Sequence, residues 1–501
     1  MKTHALKRGQ TVELQIESLA PGGEGVGKDS GVPIFVSRVA PGDKALVELF
    51  DVRRNFARGS LVRLLESSPE RADPPCKLFK VCGGCQWQHL KYESQLKAKK
   101  DLIAQSLEHL GKLSPDLVRD SIGSQKTLFY RNKVQFPVRH PQNSKRILAG
   151  YFKQDSHELV NIKHCPIQPA PFDEALELIK TISEKYGITA YDEEKHQGLL
   201  RFINLRISDA TQKILVTLIL NCRSDRLPGV LNNLASDLME QIPNLAGVCV
   251  NFNYARGNRI FGDDTSCLAG EPFIEEVLKS TRDDFPSPLR QGLIFRLSPT
   301  SFFQINTAQA QVLLEHITGF LRDHFASEQS VELARCTAID AYAGVGSIAI
   351  WFAHFVDRII AVEENPQAAD DGRLNVELNQ LSNVEFHTGR VEEVLPRLHN
   401  HGLKPHIIFI DPPRKGCAPE TIDTILKLAP EVVIYVSCNP VTLARDLKIF
   451  ESRSRATHIS GDGDQGHFGY KTKQVLPIDL FPQTYHIESV TMLVKELRRW
   501  Q

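Results

Sequence analysis

Ala338-Ile339-Asp340-Ala341-Tyr342-Ala343-Gly344-Val345-Gly346-Ser347, running on into Ile348-Ala349-Ile350, decides the fold. A short apolar run ends on Asp340, two closely spaced glycines turn the chain, and a helical stretch, Ile348–Phe355, follows. Glycine lets backbone approach a ligand closely, and a helix start offers free N–H groups. The same alternation repeats outward. Arg358-Ile359-Ile360-Ala361-Val362, Ile407-Ile408-Phe409-Ile410 and Val432-Val433-Ile434-Tyr435-Val436 are apolar runs of strand length separated by helical stretches. Such alternation predicts an α/β, doubly wound parallel sheet over 300–501. Ligands of such sheets bind outside the carboxyl ends of the strands. Glu363, Asp411 and Cys438 each close one of these runs, so one cleft is expected to receive all three.

Upstream the pattern changes. Residues 9–66 carry short alternating stretches, Thr11–Ile16 and Lys44–Leu49 among them, broken by Pro21-Gly22-Gly23 and Pro41-Gly42-Asp43. That predicts a small five-stranded barrel of OB type within a unit spanning 1–72. Arg53-Arg54-Asn55-Phe56-Ala57-Arg58 sets arginines beside an aromatic, chemistry suited to phosphates and stacked bases, though a charged hairpin tip gives the same pattern. Pro74-Pro75 marks a boundary, and His89 to Gly111 reads as a long polar helix with room to pack on the last domain. Residues 73–299 otherwise mix strands such as Leu215–Leu220 with turns, which predicts an α+β middle domain.

The 501 residues carry no net charge, but the charge is unevenly placed. Residues 1–165 hold 27 Lys and Arg against 17 Asp and Glu, a surplus matched by the deficit of 166–501. A basic front end on an acidic body suits a polyanion. No run approaches the roughly 20 apolar residues that cross a bilayer, and Met1–Arg8 lacks an apolar signal core, so no membrane partner and a cytoplasmic location are expected. Ten cysteines in such a chain argue against disulfides. Cys76, Cys82, Cys85 and Cys165 have the spacing of metal ligands, whether for tetrahedral zinc or an iron–sulfur cluster.

Asp411-Pro412-Pro413-Arg414 places a carboxylate and rigid carbonyls at a strand end, because two prolines lock the backbone and remove donors. Cys438 closes the next strand and is a nucleophile once partly thiolate. Glu488 begins a late strand, where partial burial raises a carboxyl into the range of a base. Gly344-x-Gly346-x-x-Ala349 also satisfies the loose dinucleotide fingerprint, so a nicotinamide oxidoreductase is a rival reading. That rival leaves Asp411-Pro412-Pro413 and Glu488 unexplained.

Phe303-Gln304-Ile305-Asn306, Asp340-x-Tyr342-x-Gly344-x-Gly346, Asp411-Pro412-Pro413-Arg414, Ser437-Cys438-Asn439-Pro440 and His486-Ile487-Glu488-Ser489 resemble, in order, the motifs of the RNA 5-methyluridine methyltransferases. The first residues resemble their TRAM domain. Cys76-x5-Cys82-Gly83-Gly84-Cys85 with Cys165 resembles the iron–sulfur motif of the 23S ribosomal RNA branch. The resemblance implies that Gln304, Tyr342, Ser347, Glu363 and Asp411 hold S-adenosylmethionine and that Cys438 attacks uracil C6. It further implies that Glu488 removes the C5 proton and that the four cysteines bind a [4Fe-4S] cluster. Ribosomal RNA is the expected partner of a monomeric enzyme. A transfer RNA uridine methyltransferase and a non-catalytic RNA-binding protein are the alternatives. At Arg390 the sequence departs from the family, which commonly has an acidic residue or Asn near the adenine; arginine accepts no hydrogen bond. Ser347 is a milder departure, from Asn.

Overall fold

The computed structural model describes residues 6–327, 331–458 and 465–498. Strands β1 (Thr11–Leu19), β2 (Gly25–Asp29), β3 (Val32–Val36), β4 (Lys44–Val52) and β5 (Ala57–Glu66) close a barrel in the order β1-β2-β3-β5-β4. Val12, Leu14 and Ile16 alternate inward to meet Ile34, Val36, Val47 and Leu49. Alternation at period two is what half-buried strands require. Gly25 and Gly59 are needed for closure: a Cβ would lie 2.3 Å from Val39 and 2.2 Å from Val47, respectively.

Helix α1 (Tyr92–Ser106) follows and runs on through a wider turn to Gly111. The middle domain is a seven-stranded sheet of β6 (Lys133–Arg139), β7 (Leu148–Phe152), β8 (Leu159–Asn161), β9 (Leu200–Ile207), β10 (Ile214–Leu220), β11 (Leu245–Phe252) and β12 (Asp264–Gly270), ordered β12-β11-β10-β9-β6-β7-β8. Helices α2 (Ala170–Lys185) and α3 (Val230–Gln241) pack on one face through Leu176, Ile179, Leu234 and Leu238. A hairpin of β13 (Ile274–Leu278) and β14 (Leu293–Leu297), with α4 (Ser287–Gln291) between, leads into α5 (Thr307–Ser327).

The last sheet contains β15 (Thr337–Ala341), β16 (Arg358–Glu363), β17 (Val384–Thr388), β18 (Ile407–Ile410), β19 (Val432–Ser437), β20 (Ser454–His458), β21 (Gln465–Ile478) and β22 (Glu488–Arg498). Its order is β17-β16-β15-β18-β19-β22-β21-β20, parallel from β17 to β19, with β22 entering antiparallel beside β19. Helices α6 (Ser347–Phe352), α7 (Pro366–Leu378), α8 (Val391–Asn400), α9 (Pro419–Leu428) and α10 (Pro440–Ser452) connect the strands. Ala338, Ile359, Phe409 and Ile434 join the core on one face, and Ile339, Ile360, Ile408 and Tyr435 join that on the other. Burial on both faces explains why these strands read as continuous apolar runs. Helix α6 is shorter than the expected Ile348–Phe355, and the chain leaves it in a tightened turn in which the Phe355 amide donates to the Phe352 carbonyl, three residues back, at 2.9 Å.

Helix α1 packs on this last sheet: Trp87, Leu102, Ile103 and Leu107 share a core with Tyr435, Leu443 and Phe450. It also grips the Asp479–Ile487 loop between β21 and β22. Lys99, fully buried, donates to Asp479 Oδ1 at 2.6 Å and the Phe481 carbonyl at 3.1 Å. Tyr92 donates to Asp479 Oδ2 at 2.9 Å, and Gln95 exchanges hydrogen bonds with Gln483 at 3.1 and 2.9 Å. Positions 92, 95 and 99 fall on one helix face.

Candidate active site

Cys438 follows the last residue of β19, and Glu488 opens β22. Antiparallel pairing of Ser437 with Ser489 sets Cys438 and Glu488 at one sheet end, although fifty positions separate them. Asp411, one strand away at the end of β18, completes a group whose charges act on one another. Burial pushes the Cys438 thiol up to about 11, the Glu488 and Asp411 carboxylates add to the shift, and the Arg414 guanidinium opposes it. Glu488 is 3% exposed, and its Oε1 lacks a hydrogen-bond partner. Desolvation raises its carboxyl well above the ordinary range, the Asp411 charge reinforces this, and Arg414 again opposes. Desolvation also lifts Asp411, to about 7. Three acids crowd one site with one cation at its rim, an environment that shifts proton affinities as acid–base chemistry requires.

The rim is held together locally. Asn439 caps α10, its side chain accepting from Val441 N at 3.1 Å and donating to the Arg414 carbonyl at 2.9 Å. Arg414 Nη2 lies 3.5 Å from His486 Nδ1, and the Tyr485 and His486 rings are 4.4 Å apart. Burial and then the nearby Arg414 charge depress the His486 imidazole to about 4, so it is neutral at pH 7.

Gln304, Ser347 and Asp411 line one cavity beside this group, walled by Phe303, Ile348 and Val436. Tyr342 and Glu363 stand at neighbouring strand ends. Tyr342 has a left-handed backbone, φ 69°, and its ring packs among the apolar residues on the α9 side. Glu363 accepts from Gly344 N and Asn365 N, each at 2.8 Å, which fastens the glycine turn to the end of β16 and leaves lone pairs for hydroxyl donors. Gly346, φ 86°, is required: a Cβ there would lie 2.9 Å from Phe386. Arg390 precedes α8, is exposed, and lies 3.8 Å from Glu392.

Asp340, beside the glycine turn, has no role assigned by its sequence pattern. It is fully buried, accepts from Ala349 N at 2.9 Å through Oδ2, and leaves Oδ1 without a partner. Its signal was a charged residue closing an apolar strand.

Cys76, Cys82, Cys85 and Cys165 carry free thiols within mutual electrostatic reach. Cys82, Cys85 and Cys165 meet Tyr130, Val160, Ile162 and Ile167 in a small apolar patch. Burial first, then one another's charges, raise Cys85 and Cys165 to about 12. Bare thiolates are therefore unfavourable there unless a cationic group compensates. Gly83 admits close approach, since a Cβ would lie 2.9 Å from the Phe152 carbonyl, and Gly84 N donates to Cys82 Sγ at 3.4 Å. Among the described residues, no three His, Cys, Asp or Glu side chains have the spacing to hold a single metal ion.

The front-end cations divide. Arg54 and Arg63 are exposed, and Arg53 and Arg58 pair with Asp51 and Glu24 at 2.9 and 3.8 Å. Lys133, one of the basic residues in the surplus over 1–165, donates to the Ser301 carbonyl at 3.3 Å, and Arg139, another, pairs with Glu193 at 3.0 Å. A wide groove beside the barrel is lined by Arg38, Phe50, Arg63, Lys80 and His89.

The sequence profile described as tRNA (Uracil-5-)-methyltransferase matches residues 91–496, and that of the TRAM domain matches residues 5–62. An RNA methyltransferase of Halalkalibacterium halodurans is 36% identical over 488 residues, covering 97% of this chain and 98% of the relative. One from Synechocystis is 38% identical over 487 residues, covering 97% and 96%. The crystal structure of Pyrococcus abyssi tRNA (uracil-54, C5)-methyltransferase in complex with S-adenosyl-L-homocysteine matches with a TM-score of 0.70 at 26% identity, covering 96% of this chain and 99% of that one.

Proposed function

The chain belongs to the S-adenosylmethionine-dependent RNA (uracil-5-)-methyltransferase family, and from that premise we propose that it methylates C5 of a uridine in 23S ribosomal RNA through a covalent Cys438 adduct. The observation that carries the reading is the pairing of Ser437 with Ser489, which sets one nucleophile beside one desolvated carboxylate. Uracil C5 is a poor nucleophile. Cys438 thiolate attacks C6, and the ring's electron pair moves onto C5 and O4 as an enolate. C5 then takes the methyl group; S-adenosylmethionine supplies that methyl as an electrophile on a sulfonium. Glu488 removes the C5 proton, and the returning electrons expel the Cys438 thiolate. Arg414 favours both anionic groups before they act. Gln304, Tyr342, Ser347, Glu363 and Asp411 would bind the donor, and the uridine must be flipped from folded RNA.

A transfer RNA target is the second reading, favoured by the likeness to the Pyrococcus enzyme. The barrel does not separate the two, because the Pyrococcus match covers 96% of this chain; the ribosomal reading rests on the likeness of Cys76, Cys82, Cys85 and Cys165 to the cysteine motif of the ribosomal branch. Mapping 5-methyluridine in ribosomal and transfer RNA from cells with and without the gene tests both. Loss from transfer RNA alone would refute the ribosomal assignment.

Cys76, Cys82, Cys85 and Cys165 would hold a [4Fe-4S] cluster, whose net positive iron core compensates clustered thiolates. The apolar patch shared by Cys82, Cys85 and Cys165 and the glycines between Cys82 and Cys85 support this over zinc, which draws its four ligands around one ion. Protein purified without oxygen is expected to be brown and to contain about four irons per chain. Changing any one of the four to Ser should bleach it, whereas stoichiometric zinc without iron would overturn the assignment.

RNA is expected to meet the exposed barrel arginines. Each phosphate contact contributes roughly 0.7 to 0.9 to the slope of log affinity against log salt. Arg54→Ala with Arg63→Ala should therefore flatten the slope by about 1.5, leaving S-adenosylmethionine affinity at the parental value. Deleting the barrel is a poorer test, since Trp87 Nε1 donates to the Gly23 carbonyl at 3.0 Å and would be uncovered. An unchanged slope would mean that the barrel serves solubility alone.

A further inference from the structure

The loop that leaves β11, residues 253–261, is held from within by two buried side chains. Arg201, 3% exposed on β9, donates to the carbonyls of Asn253 at 2.6 Å, Ala255 at 2.7 Å and Gly257 at 3.4 Å. Asn253 Nδ2 donates to the carbonyls of Arg259 at 2.6 Å and Ile260 at 2.8 Å. Burying a guanidinium without a carboxylate partner is a costly way to shape a surface loop. The result is a fixed loop whose acceptors are turned inward.

Its outer side carries cations and an aromatic ring. Tyr254 is 50% exposed, and the Arg223 guanidinium lies 4.9 Å from its ring centre. Arg256 and Arg226 are exposed, and Arg259 pairs with Asp263 at 2.5 Å. Asp225 and Asp264 are the other nearby acids, so the local surplus is modest and centres on Arg223 and Arg256. The loop also connects toward the cleft. Phe261 lies 5.5 Å from Lys133 Nζ, Lys133 donates to the Ser301 carbonyl, and the next residue, Phe302, is 62% exposed.

We propose that Tyr254, Arg223 and Arg256 form an RNA-holding platform on the middle domain, distinct from the barrel, that takes a single-stranded stretch of the substrate. A base stacks on Tyr254, flanking phosphates pair with the arginines, and the preset loop avoids the ordering cost of binding. A stacked ring with adjacent guanidinium groups is sequence-tolerant, so the platform supplies grip rather than choice of uridine. The inference rests on the RNA-methyltransferase reading above.

The test uses the full chain and a fluorescein-labelled oligouridylate, followed by anisotropy over a range of salt. Tyr254→Ala should weaken binding by about tenfold with an unchanged salt slope, and Tyr254→Phe should retain parental affinity. Arg223→Ala with Arg256→Ala should lower the slope by about 1.4. S-adenosylmethionine titration by calorimetry checks that each variant is folded, and if Tyr254→Ala fails that check, the arginine pair decides. Parental affinity and slope in the folded variants would overturn the platform. The RNA reading has a separate readout: the parent either makes 5-methyluridine in RNA or does not, whatever the loop variants do.

Discussion

Replacing Cys438 by alanine is expected to reduce methyl transfer by about four orders of magnitude or more, as removal of a covalent nucleophile does, while S-adenosylmethionine still binds. The substitution removes only the thiol that opens the uracil ring. The cavity proposed for the donor is lined by Gln304, Ser347, Asp411 and Val436, without Cys438, and Asn439 caps α10 with its own side chain, so the site should keep its shape. A thiol held at about 11 is almost wholly protonated at pH 7. Below that value the thiolate fraction grows about tenfold for each pH unit, so kcat/KM of the parent should climb with pH. With the donor saturating, the climb ends at the thiol's value in the enzyme–donor complex that meets the RNA, where the donor's positive sulfonium acts in the same direction as Arg414. RNA containing 5-fluorouridine has no removable C5 proton and should trap the parent, but not the Ala variant, as a methylated adduct stable on denaturing gels. Parental turnover by the Ala variant would end the covalent mechanism.

Glu488→Gln should give the opposite phenotype. Attack at C6 and methyl transfer precede proton removal, so the variant is expected to accumulate a protein–RNA adduct with ordinary uridine while turnover falls by about 10² to 10⁴. The amide is nearly isosteric and cannot accept the proton. The sign of the pH effect follows from the raised carboxyl: as pH falls through that raised value, Glu488 becomes protonated and the parent loses its base. In the parent the acid limb should therefore lie above the ordinary glutamate range, and in Glu488→Gln it should vanish from the adduct-decay rate. A Gln variant that releases product at the parental rate would assign the proton to water or to another group.

The last sheet was legible in the sequence because strands buried on both faces are written as unbroken apolar runs, and Glu363, Asp411 and Cys438 end them as expected. The meeting of Cys438 with Glu488 was not written locally. It depends on β22 inserting antiparallel beside β19, a register that no periodicity within either strand encodes, and only the family resemblance supplied it. The barrel followed from alternation and turn residues. Charge was read less well: counting basic residues does not tell that Lys133 is spent on a backbone carbonyl and Arg139 on Glu193. Polarity likewise disguised α1. Tyr92, Gln95 and Lys99 look like a solvated face, yet each is satisfied by the hairpin loop that precedes Glu488.

That grip makes the position of Glu488, the proposed base, depend on the other end of the chain. The Gln483 carbonyl accepts from Gln86 N at 3.2 Å and Trp87 N at 3.0 Å, immediately after Cys85, so the loop is stitched to the cysteine segment on one side and to α1 on the other. A fragment starting near residue 300 would contain Gln304, Tyr342, Ser347, Glu363, Asp411, Cys438 and Glu488, yet the floor under Glu488 would be missing. For anyone transplanting or minimising this enzyme, the smallest portable unit therefore begins before Gln86, and the proposed proton transfer at Glu488 requires that segment to be inherited together with the C-terminal sheet.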